Sequence, residues 1–141
     1  MRDAQAPRPA PIAALAAPDG AVLSPPVRRA LAHIAANYAA HVTLGDLAAL
    51  TGRTPFQLIR AFRKELGVTP HAMLIRLRVR RAAELLAAGV PIAGVAADLG
   101  FVDQTHFGRH FKRILRQTPG RFRNAIRAGL ALPYPVVNSF A

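Results

Sequence analysis

The chain has 141 residues, 52% of them hydrophobic, with 19 Lys and Arg against 7 Asp and Glu and no Cys. That length suits one domain with a substantial core, the missing Cys excludes disulfides and thiolate metal sites, and no stretch approaches the ~20 apolar residues of a membrane span. The surplus charge is local. Residues 25–130 hold 17 cations against five carboxylates, while Arg2, Arg8, Asp3 and Asp19 cancel before them and residues 131–141 hold no charge. Such density on a compact domain is the electrostatic footprint of a protein that meets a polyanion. Pro7, Pro9, Pro11 and Pro18 break any apolar run at the start, which makes a poor signal peptide. A cytoplasmic, nucleoid-associated location is expected.

Residues 1–23, with eight Ala and four Pro and no sustained period, read as a flexible tail or linker. Ser24 is placed to cap a first helix that Pro25 and Pro26 open, with Val27, Ala30, Leu31, Ile34 and Tyr38 at helical spacing up to about Ala40. Thr43 and Asp46 resemble a capping box. Leu44, Leu47, Ala48 and Leu50 make the apolar side of a short second helix. Gly52 permits the positive φ of a sharp exit. Thr54-Pro55 then starts a third helix that ends at Gly67, with Leu58, Phe62 and Glu65 on one side and Phe56, Ile59, Arg60 and Arg63 on the other. Thr69-Pro70 opens a longer helix through Ala88, with an apolar side of Met73, Leu74, Leu77, Ala82, Leu85 and Leu86. Arg76, Arg78, Arg80 and Arg81 are its cationic remainder.

A fifth helix is expected over 91–99, with Ile92, Val95, Ala96 and Leu99 inward. Asp103 caps the sixth. On it Phe107 and Phe111 share an inner stripe continued by Ile114, and Thr105, Gly108, Arg109 and Lys112 face outward. Thr118-Pro119 starts a basic last helix over 120–130, and residues 131–141 read as a loosely ordered tail. No segment alternates as a strand, so the fold class is all-α with about seven helices.

The third and sixth helices repeat. A shift of 49 positions lays Arg60-Ala61-Phe62-Arg63-Lys64 on Arg109-His110-Phe111-Lys112-Arg113, Leu50 on Leu99, Leu66 on Leu115 and Thr69-Pro70 on Thr118-Pro119. Each copy reads helix, tight turn, helix, and the long helix joins the two. The sixth helix has an aromatic inner side and a small, polar and cationic outer side, which suits a DNA major groove.

From Val27 to Arg123 the chain closely resembles the DNA-binding domain of AraC/XylS-type bacterial transcription regulators. The resemblance rests on Thr43-Leu44-Gly45-Asp46-Leu47-Ala48, Leu66-Gly67-Val68-Thr69-Pro70, Pro91-Ile92-Ala93-Gly94-Val95-Ala96, Gly100-Phe101-Val102-Asp103-Gln104-Thr105-His106-Phe107 and Arg109-His110-Phe111-Lys112. It implies two helix-turn-helix units on a shared helix, sequence-specific binding to promoter DNA, and contact with RNA polymerase when the regulator activates. The implied DNA contacts are Phe56, Ile59, Arg60 and Arg63 in the first unit, and Gln104, Thr105, Gly108, Arg109 and Lys112 in the second. Arg53, Thr54 and Arg116 are expected at the phosphate backbone. Arg116 departs from the family, which usually has glycine there, so a different exit turn is expected.

Many family members carry an N-terminal effector-binding β-barrel, which 23 Ala/Pro-rich residues cannot form. The chain is read as a short regulator or as a piece of a longer one. No cofactor is expected. His106 and His110, four apart, lack a third ligand or an HExxH pattern, so metal binding is set aside. Five scattered carboxylates offer no acid–base pair, which argues against an enzyme. The alternative reading is a sequence-tolerant architectural DNA- or RNA-binding protein, which shares the charge but not the two shaped reading faces.

Overall fold

The computed structural model describes residues 22–129, and every regular element among them is a helix. In chain order these are α1 (Pro25–Asn37), α2 (Leu44–Thr51), α3 (Pro55–Leu66), α4 (Pro70–Ala87), α5 (Ile92–Asp98), α6 (Gln104–Leu115) and α7 (Pro119–Arg127). The tails expected at 1–23 and 131–141 lie outside the described residues except at Val22 and Leu23. Leu23 is a correction: it is buried with α1 and α3 in the first core and belongs to the folded unit.

Two cores share α4. Met73, Leu74 and Leu77 pack with Val27, Leu31, Ile34, Leu47, Leu58 and Phe62 of α1–α3. Ile75, Val79, Ala82, Ala83 and Leu86, on the other side of the same helix, pack with Val95, Phe107, Phe111 and Phe122 of α5–α7. A helix buried on both sides has little surface left for charge, and here the sequence expectation fails. Arg78 and Arg80 are only 7% and 6% exposed and are not part of a solvated cationic face. Arg80 is paired with Glu84 at 3.0 Å, and Glu84 also holds Arg81 at 2.9 Å. The guanidinium of Arg78 donates to three main-chain carbonyls, those of Tyr38, Ala40 and Gly100. Helix α1 ends at Asn37, short of the expected Ala40, and the carbonyls of Tyr38 and Ala40 just beyond it accept from Arg78.

The caps follow the sequence closely. Thr43–Asp46 and Thr54–Gln57 both form reciprocal capping boxes, and Thr69, Asp103 and Thr118 each accept a first-turn N–H. Ser24 does not cap α1 with its side chain. Its hydroxyl and backbone N–H instead donate to the two oxygens of Glu65, both at 2.7 Å, which ties the start of α1 to α3.

The duplication is visible as geometry, with one offset. Helices α3 and α6 each have 12 residues and start 49 apart, at Pro55 and Gln104. Their preceding turns pivot on Gly52 and Gly100, which are 48 apart, with φ of 69° and 84°. The second turn therefore holds one more residue before its cap. Leu99 consequently takes the place of Thr51, not of Leu50, and is 3% exposed where Leu50 is 44% exposed. The expected inward Leu50 is thus corrected by that one-residue shift. The exit turns do match: Arg116 adopts φ 66° and ψ 14°, beside φ 77° and ψ 1° at Gly67, so an arginine takes the left-handed turn and the expected difference is absent. The last helix ends at Arg127, before the expected Leu130, where Gly129 turns at φ 75° and its N–H meets the carbonyl of Ile126.

Phe62 and Phe111 are fully enclosed at equivalent positions. Phe62→Ala and Phe111→Ala should each cost about 3–5 kcal/mol in chemical denaturation; a variant as stable as the parent would place that helix the wrong way round. Arg116→Gly should raise stability by up to about 1 kcal/mol, because left-handed backbone costs an L-residue about 1–2 kcal/mol and glycine returns part of that through a freer unfolded chain. No gain in the melt would mean that Arg116 makes contacts that offset its backbone strain.

Candidate nucleic-acid interface

The outer sides of α3 and α6 form the strongest candidate surface. On α3, Phe56, Arg60 and Arg63 are exposed, and Phe56 shows 67% of its surface to solvent. An aromatic ring left so open in a small domain is unusual for a core former. The guanidinium carbon of Arg60, one turn on, lies 5.6 Å from the centre of that ring, within cation–π range. Ile59 is half-buried and turns toward a cleft of about 810 Å³ between the two units, whose walls also include Val42, His71, Arg78, Val102 and His106. Arg53 and Thr54 are exposed at the start of α3, and the Thr54 hydroxyl accepts the Gln57 N–H at 3.1 Å.

On α6, Gln104, Thr105, Arg109 and Lys112 are exposed, and Arg116 is exposed just beyond its end. Gly108 lies among them. A Cβ built there meets nothing within 4 Å, so no internal packing demands glycine. Its effect is to lower the outer side of the helix between Thr105 and Lys112. All twelve residues expected at the interface are therefore off the cores, with Ile59 and Gly108 only partly exposed.

Sequence reasoning missed a polar chain along the flank of α6. A guanidinium has only N–H donors, so Arg113 donates to Nδ1 of His110 at 2.6 Å. That contact puts the His110 proton on Nε2, which donates to Nε2 of His106 at 3.1 Å. His106 then carries its own proton on Nδ1, a buried atom with no hydrogen-bond partner. Both rings also pack on Phe101. The i, i+3 and i+4 spacing was the available signal. It is a hydrogen-bonded pair, and among the described residues no group of three or more His, Cys, Asp or Glu is arranged to hold a metal ion.

Residues 47–125, more than half of the chain, match a family model described as a helix-turn-helix domain. The chain belongs to the AraC-type helix-turn-helix family. Among its relatives is the uncharacterised HTH-type transcriptional regulator YbfI of Bacillus subtilis (strain 168), 41% identical over 70 residues, which are 50% of this chain and 26% of that protein. The C-terminal domain of AraT, a response regulator from Geobacillus stearothermophilus, has a TM-score of 0.69 at 31% identity, covering 80% of this chain and 93% of that one. A probable AraC family transcriptional regulator from Rhodopseudomonas palustris CGA009 has a TM-score of 0.68 at 27% identity, covering 73% of this chain and 98% of that one. The curated relatives are much longer: the chain spans 26% of YbfI and 23% of the gonococcal regulator MtrA. No described helix is long and apolar enough to cross a membrane.

His110 has a pH signature. Burial first, then His106 and the cations Arg113 and Arg109 with His71, lower the His110 pKa from 6.5 to about 4. The unfolded chain thus takes up a proton before the folded one, and this contribution to stability is lost as pH falls from about 6.5 toward 4. Melting temperature should drop across that window more steeply in the parent than in His110→Gln. Parallel curves would mean that His110 is not held neutral by the fold.

Proposed function

We propose that the protein is a sequence-specific transcription regulator that inserts α3 and α6 into adjacent major grooves of promoter DNA. The observation that carries this reading is the matched pair itself: two 12-residue helices, 49 positions apart, each with a phenylalanine buried inside and arginine exposed outside. They are joined by an 18-residue helix, about 27 Å long at 1.5 Å per residue. Successive major-groove faces lie about 34 Å apart. One chain then does what many helix-turn-helix proteins do as dimers.

In this reading Arg60 and Arg109 bind guanine edges bidentately, and Gln104 is suited to adenine. The Phe56 ring both steadies Arg60 and offers an apolar face to a thymine methyl. Thr105, Arg63, Ile59 and Lys112 complete the contact, and Gly108 lets a base edge approach the α6 backbone. Arg53, Thr54 and Arg116 lie at the phosphates, where they set register without reading sequence. Meeting RNA polymerase at the promoter and residing in the cytoplasm belong to the same reading.

Selection from random duplex DNA, run at two salt concentrations, tests it. An enriched site of two blocks about 10 base pairs apart is expected. Arg60→Ala should relax preference in one block and Arg109→Ala in the other, each by about 1–3 kcal/mol at the affected bases. The two losses should add, since the residues act in separate grooves. Loss of preference over the same bases would replace this arrangement with a dimer, and enrichment of no motif would favour an architectural binder.

A further inference from the structure

Arg78 does more than survive burial. From near the middle of α4 its Nε donates to the Tyr38 carbonyl at 2.6 Å and its Nη2 to that of Ala40 at 2.9 Å, both in the segment between α1 and α2. Its Nη1 donates to the Gly100 carbonyl at 3.2 Å, in the turn between α5 and α6. Its face lies over the Phe101 ring, 5.7 Å from the centre. No carboxylate pairs with it among the described residues, and burial lowers its pKa. A planar fork with fixed donor directions thus joins three backbone acceptors from two units.

The two segments it joins also touch each other. A Cβ on Gly100 would lie 2.7 Å from the Ala39 carbonyl and 3.0 Å from Nη2 of Arg78, at a backbone with φ 84°. Three residues beyond Gly100 stands Asp103, the cap of α6, and three beyond Ala40 stands Thr43, the cap of α2. The hydrophobic clusters of the two units are separate, with Tyr38 packed against both. Each unit therefore has its own core, and the Arg78 guanidinium makes a polar tie between them.

We infer that Arg78 is a positioning residue for DNA reading: it holds the segment that leads into α2 and the turn that leads into α6 in one relation, and thereby sets the half-site spacing that the protein accepts. This rests on the proposed two-groove reading. Adding one base pair between half-sites moves the second by about 3.4 Å and rotates it by about 35°. A rigid pair of units refuses that shift, whereas a loosened pair follows it. Lysine cannot replace the fork, because a single ammonium reaches one or two of three diverging carbonyls.

The test uses the whole 141-residue chain on the site selected by the parent, with the spacer shortened or lengthened by one and two base pairs. The parent should lose at least about tenfold in affinity per shifted base pair, a step of the size of a mismatch. Arg78→Met should tolerate the same shifts with losses of about threefold or less, while base preference inside each block stays as in the parent, and Arg78→Lys should fall between. A merely destabilising change would lower affinity equally for all spacers. Should Arg78→Met prove unfolded by circular dichroism, Arg78→Lys and Gly100→Ala, which presses on the same tie, carry the comparison. A folded Arg78 variant with the parent's sharp spacing preference overturns the inference and leaves the two-groove reading intact. A parent that binds one block, indifferent to spacing, overturns both.

Discussion

A helix enclosed on two sides must hold its buried charges on internal partners, and α4 is organised by that demand. Its apolar residues divide between the cores of the two units, which leaves the arginines at 78 and 80 out of water. A guanidinium tolerates this because its charge is spread over a plane and five N–H groups point outward in fixed directions. Arg80 finds Glu84, and Arg78 finds carbonyls that the ends of α1 and α5 leave unpaired. Deleting either side chain's partners would leave a buried cation, which is far more costly than a lost surface pair. Arg78 thus acts as a joint between the units, while Arg80, Arg81 and Glu84 pair within α4 itself.

The two units are copies whose connections differ in length, while α3 and α6 keep the same length and inner positions. Phe62 and Phe111 stay in place, as do the cap positions 54 and 103 and the left-handed exits at 67 and 116. The turns before those helices differ by one residue, which sends Leu50 outward and Leu99 inward. The first unit spends its exposed apolar surface on Phe56, against which Arg60 lies. The second has no ring there and is instead flanked by the Arg113–His110–His106 chain. Two outer faces built from different side chains fit the asymmetric site of the proposed function, since identical faces would read the same bases twice.

The amino-acid sequence alone determined the helices, most of their limits, the caps at Thr43, Thr54, Thr69, Asp103 and Thr118, and the outer placement of Arg60, Arg63, Arg109 and Lys112. These follow from local physics: periodicity separates an inner from an outer side, and a cap satisfies N–H groups within three residues. The candidate site was legible for the same reason, because it lies on two amphipathic helices with one wet side each. What the tertiary structure decided is where that reasoning has no purchase. Arg78 and Arg80 look like a solvated stripe until a second unit covers them. Ser24 has the spacing of a cap, yet Glu65, 41 residues away, takes its hydroxyl. Arg116 adopts a glycine-like left-handed turn at the α6 exit, and Leu50 and Leu99 part company over one inserted residue. For Arg78 and Ser24 the deciding partners are distant in sequence and near in space, so their energy cannot be read from neighbours along the chain.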